Sequence, residues 1–108
     1  MDDTWTILKS LAEKLDSLLD HPPEQTMLLQ ALKLGEECGE VAEAVIGVLG
    51  MNPRKGRSHT LEQVHAEACD AAVTALILIA RTGGDPEAVF ARHLRYLAGR
   101  SITGEATA

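Results

Sequence analysis

An all-α fold, a four-helix bundle-like domain, is what this chain predicts, on three observations. Apolar residues recur at three- and four-residue intervals through four separate stretches, breakers stand between the stretches, and no segment alternates as a strand would. Composition agrees. Apolar residues make up 45 % of the 108, but the aromatics are only Trp5, Phe90 and Tyr96. A core of Leu, Ile, Val and Ala follows, and it suits closely spaced helices. The length fits one domain, 1–108.

The first helix is expected over about 4–20, capped by Asp3 or Thr4, with Leu8, Leu11, Leu15, Leu18 and Leu19 along one side. His21-Pro22-Pro23 ends it, because proline removes a donor and restricts its predecessor. A second helix is expected over 24–49, and residues 50–59 read as a loop from their Gly, Asn and Pro content. Thr60 with Gln63 forms a capping-box pattern that opens a third helix, 61–82, closed by Gly83-Gly84. Asp85-Pro86-Glu87 starts a fourth, 86–98: a capping acid, proline at the first helical position, then a charge that the helix dipole favours. The tail, 99–108, is small and polar and reads as frayed.

From Ala68 to Ile79 the third helix is apolar around almost its whole circumference. Such a helix needs cover on every side, more than three neighbours in so small a chain supply. A homodimer or homotetramer is therefore expected.

The net charge of −6 argues against binding a nucleic-acid polymer, which favours a basic face. The first apolar stretch is broken by Lys9, Glu13, Lys14 and Asp16, so it does not read as a signal peptide, and the longest uncharged run is about half of a ~20-residue membrane span. Cys38 and Cys69 lack metal or redox spacing. A cytoplasmic protein with reduced thiols is expected, Cys69 serving as a small buried apolar residue.

Residues three apart on a helix share a face. Glu37 and Glu40 are so placed on the second helix, Glu67 and Asp70 on the third. The first stripe also carries Gln30, Lys33 and Ala44, the second Gln63 and Thr74. Helices joined by a short loop pack antiparallel, which brings the two pairs opposite one another. Four facing carboxylates repel unless something neutralises them, and hard oxygen donors suit Mg²⁺, Mn²⁺ or Ca²⁺ rather than zinc or copper. Asp70, between Cys69 and Ala71, stands in the most apolar part of the chain, where an unpaired charge is costly.

Lys33-Leu-Gly-Glu-Glu-Cys-Gly-Glu40-Val-Ala-Glu-Ala44, followed by Glu67-Ala-Cys-Asp70, resembles the paired ExxE and ExxD motif of MazG-like nucleotide pyrophosphohydrolases, in the all-α NTP pyrophosphatase superfamily. The resemblance covers about residues 25–98. It implies an oligomeric helical bundle in which Glu37, Glu40, Glu67 and Asp70 are the metal ligands and catalytic residues. It further implies Mg²⁺-dependent hydrolysis of a nucleoside triphosphate between the α and β phosphates, yielding monophosphate and pyrophosphate. Many relatives carry Lys and then Asn on the fourth helix; here that region reads Arg92-His93-Leu94-Arg95-Tyr96, without asparagine.

In that chemistry a metal-polarised water attacks phosphorus while a carboxylate, for which Glu40 is the choice, accepts its proton. Arg54, Lys55 and Arg57 are either phosphate contacts or solvated loop charges. Lys33 is an ion-pair partner of Glu37 or a phosphate ligand, the former preferred. Two other readings remain open: a phosphoribosyl-ATP pyrophosphohydrolase-like enzyme, and a non-catalytic helical oligomer that binds a nucleotide or a protein.

Overall fold

The computed structural model describes residues 2–100, which form four helices: α1 (Thr4–Leu18), α2 (Pro23–Leu49), α3 (Leu61–Arg81) and α4 (Pro86–Gly99). No strand occurs among the described residues. Most of the tail read as frayed, residues 101–108, lies outside them.

The boundaries follow local chemistry. α1 stops two residues short of the expected end, and its first turn is held by Asp2, whose carboxylate accepts a hydrogen bond from the Thr4 N–H at 2.9 Å. The Thr4 hydroxyl, which also donates to this carboxylate, and then the N–H hold the Asp2 carboxyl below its ordinary value. Pro23 occupies the first turn of α2, as its locked φ allows. At the other end Gly50 adopts φ 66°, the left-handed conformation that favours glycine. α3 opens with the full capping box: the Thr60 hydroxyl accepts from the Gln63 N–H and the Gln63 side chain accepts from the Thr60 N–H. Asp85 precedes α4 but caps nothing with its side chain; its carboxylate faces Lys9 of α1 at 3.6 Å, an exposed pair of small energetic value.

The loop between α2 and α3 folds back on α2. The Ser58 N–H donates to the Gly47 carbonyl at 3.1 Å, and a Cβ at Gly47 would overlap the His59 ring. Glycine there lets the loop lie against the helix.

α3 is the hub. It packs against α1, α2 and α4, most extensively against α2. Leu8 and Ala12 of α1 meet Ile77 of α3 in a small core, with Trp5, Leu15, Leu76 and Ala80 packed around it. Trp5 also faces Phe90 of α4, ring centroids 6.2 Å apart.

α3 is, among the described residues, long and apolar enough to cross a membrane by length and composition. It carries Glu67 and Asp70 near mid-length, where a bilayer disfavours charge. Its cover is partial: Thr74 and Ile77 are buried, while Ala68, Ala72 and Val73 are exposed. Cys69, expected to be buried, is exposed, as is Cys38. Cys69 faces outward because the α3 residues packed in the core with α1, Leu76, Ile77 and Ala80, all lie in the C-terminal half of the helix.

Candidate metal centre

α2 and α3 carry the sequence-predicted acids to one place. Oxygens of Glu37, Glu67 and Asp70 lie within 4.8 Å of one another. Glu37 is buried, Glu67 half-buried and Asp70 exposed, so the cluster opens outward on the Asp70 side. Glu40 stands outside this group of three, beside Glu67. The Glu67 carboxylate, then the charge of Glu37, push its carboxyl above the ordinary value. Two adjoining carboxylates attract only when one holds a proton; otherwise they repel.

Two oxygens in this cluster, Glu37 Oε2 and Glu67 Oε2, are buried without a hydrogen-bond donor. Buried carboxylate oxygens are normally satisfied, so two such oxygens on members of one acidic group fit the binding of a cation. The donor set is all carboxylate, which suits a hard divalent ion such as Mg²⁺, Mn²⁺ or Ca²⁺ better than zinc or copper.

The nearest resident cation is Lys33. Its ammonium pairs with Glu37 Oε1 at 3.1 Å and with Glu36 at 3.4 Å, and the two carboxylates raise its basicity, Glu37 foremost. This is the intrahelical ion pair the spacing suggested. Asp70 takes no part in it.

A hollow of about 260 Å³ adjoins Lys33, walled by Leu15, Leu19, Leu29 and Ile77, with His21 and Gln30 as polar points. Its floor is braced by a network that sequence spacing did not reveal. Gln30 donates to the Thr74 carbonyl at 3.2 Å and accepts from Arg81 Nη1 at 2.8 Å, while Arg81 Nε meets Asp16 at 2.7 Å. One guanidinium, its side chain only 4 % exposed, thereby ties α1 to α2 and α3. A wider groove between α3 and α4, lined by Ile79, Phe90, His93 and Tyr96, contains none of the four acids.

Arg54, Lys55 and Arg57 are exposed. Lys55 lines a shallow hollow with Gly39, Glu43 and Ile46, and the Arg57 side chain lies over Gly50. On an ideal helix that Gly39–Ile46 face is turned more than ~90° from the stripe of Glu37 and Ala44. No hydrogen bond or ion pair links these three side chains to the acids among the described residues.

The raised Glu40 carboxyl has a measurable sign. A folded-state value above the unfolded one stabilises the metal-free protein below about pH 4.5, the ordinary value, and that contribution is lost as pH rises through the raised value. In EDTA, Glu40→Gln is expected to raise the melting temperature at neutral pH and to flatten its fall between acid and neutral pH. A divalent ion held by this cluster would add a rise that grows with pH, since its ligands must be deprotonated. Scanning calorimetry of both proteins with and without the metal checks this.

No family model, no curated protein and no solved structure matches the chain.

Proposed function

We propose that this chain is a Mg²⁺-dependent nucleoside triphosphate pyrophosphohydrolase that acts as a self-associating helical bundle. The observation that carries the reading is the convergence of Glu37, Glu67 and Asp70, with two buried, donor-less carboxylate oxygens, beside Glu40 and Lys33.

Glu37, Glu67 and Asp70 would hold the metal, and Glu40 would complete the set. The ion, when bound, neutralises triphosphate charge and polarises water. The rest falls to the chain. Glu40, beside Glu67 and outside the group of three, is the carboxylate that accepts the proton of the attacking water. Lys33 supplies a mobile positive charge for the phosphates, released from Glu37 once that carboxylate has another partner. The aliphatic hollow beyond Lys33 takes the organic part of the nucleotide, its polar points fixing orientation, in the usual manner of ligand pockets. Cleavage between the α and β phosphates is the bond choice implied by the ExxE and ExxD resemblance.

The decisive experiment offers purified protein a panel of canonical and modified triphosphates with Mg²⁺ and identifies the products. Pyrophosphate and the monophosphate are expected as first products, abolished by EDTA. Orthophosphate as the first product refutes the bond choice, and no turnover across the panel refutes the activity.

A further inference from the structure

Lys33 borders both the acids and the hollow. Its ammonium pairs with Glu37 Oε1 at 3.1 Å, and its side chain helps to line the cavity of about 260 Å³ beside Leu29 and Ile77. Among the described residues no other ion pair involves any of the four acids. The two oxygens of Glu37 therefore meet different fates. Oε1 has a resident cation, whereas Oε2 of the same buried carboxylate has no hydrogen-bond donor, and Glu37 is grouped with Glu67 and Asp70.

A divalent ion taken up by this group and the Lys33 ammonium thus share one carboxylate. Like charges so close repel, and salt screens the repulsion only weakly at a buried group. The ammonium also neutralises one of the negative charges that attract the ion. On both counts Lys33 lowers the affinity of the cluster for a bare cation.

The same side chain can move away. It is half exposed, and it has a second seat on Glu36, an exposed carboxylate 3.4 Å from the ammonium and outside the group of three. Its flexible stem carries a point charge that phosphate oxygens accept. Metal arriving together with phosphate removes the conflict, because the anion gives the displaced ammonium new acceptors and brings negative charge that attracts both cations.

We propose that Lys33 is a specificity-determining residue that makes the cluster select a metal–phosphate complex over the free ion. The proposal rests on the pyrophosphohydrolase reading above and adds to it a coupling between two ligands. Seated on Glu37, the ammonium discourages free Mg²⁺; carried over to phosphate oxygens, it holds the anion. A ligand shifts such an equilibrium only through its preference for one arrangement, and phosphate supplies that preference. Coupling is reciprocal, so metal and phosphate each raise the affinity for the other. Occupancy of the site then follows the nucleotide rather than the level of the free cation.

Two titrations test this, and neither needs turnover. Calorimetry with Mg²⁺ alone is expected to show ~10-fold tighter binding in Lys33→Met than in the wild type, within the ~5–150-fold range of such couplings. With Mg²⁺ saturating, a nucleoside triphosphate analogue carrying a methylene α–β bridge is expected to bind the variant ~10-fold more weakly. Lys33→Arg, which keeps the charge, should resemble the wild type in both. Lys33→Gln keeps a donor for the buried Glu37 without the charge, so it should follow Lys33→Met, and it carries the test if the methionine variant does not fold. The opposed signs separate this role from packing: a lysine with a structural role alone would leave both affinities unchanged or weaken both. Wild type that binds Mg²⁺, with the metal bound no more tightly by the neutral variants or the analogue bound equally well, overturns the role of Lys33 and leaves the metal centre standing. Failure of the wild type to bind Mg²⁺, alone or with the analogue, overturns the metal centre and this proposal together.

Discussion

Asp70→Asn is expected to leave the fold in place while removing both metal binding and turnover. Asp70 is the exposed member of the trio, and it makes no side-chain hydrogen bond or ion pair among the described residues. Its loss therefore strands no partner. In EDTA the variant should melt at or slightly above the wild-type temperature, because one of several neighbouring negative charges has gone. With Mg²⁺ the difference appears. A ligand present at 100 times its dissociation constant stabilises by about 2.7 kcal/mol. In a domain of this size each kcal/mol moves the midpoint by roughly 4–8 °C. The wild type should gain that shift and the variant should not, and pyrophosphate release should fall by at least ~10²-fold, the scale of losing one preorganised charge-stabilising group. Unchanged turnover in Asp70→Asn would move the active site elsewhere.

The second large effect lies in stability. Arg81→Met removes the guanidinium that joins Asp16 to Gln30. Asp16 is 55 % exposed and returns to water at little cost. Gln30 is different: it is buried, and its Oε1 is left without a donor. Leaving a buried acceptor unsatisfied costs ~1–3 kcal/mol, and hydrogen bonds to charged groups sit at the upper end. We expect a loss of roughly 2–3 kcal/mol by urea denaturation, a large share of the ~5–15 kcal/mol that holds a small domain together. Asp16→Asn should cost well under half as much, since its partner keeps Gln30.

The helices and the acidic cluster were legible because both obey local rules. Proline, glycine and the Thr60–Gln63 box mark boundaries within a few residues of their own positions, and a three-residue interval places two acids on one stripe whatever the tertiary structure does. Lys33 with Glu37 was readable for the same reason. The Arg81–Gln30 bond was not: it joins residues 51 apart, and no periodicity encodes which polar groups meet across a bundle. The exposure of Cys69 is hidden from the sequence on related grounds. Apolar surroundings in sequence implied burial for Cys69, whereas its neighbours Ala68 and Ala72 are themselves exposed in the single chain. The loop cations divide in the same way. Their composition is readable, but the fold-back of Ser58 and His59 onto Gly47 decides which side of α2 they attend.

α3 carries Glu67 and Asp70 toward one end and Thr74, Ile77 and Arg81 toward the other, on a single unbroken spiral. A residue inserted between Asp70 and Thr74 would swing the downstream set by about 100° relative to the acids. The carboxylates would keep their neighbours while Gln30 and Asp16 lost theirs. Length in this helix is thus a hidden constraint, whereas the stretch from Met51 to Arg57, outside any helix, absorbs extra residues without turning either end. Variation in the chain's length is expected to accumulate there and to be purged from α3.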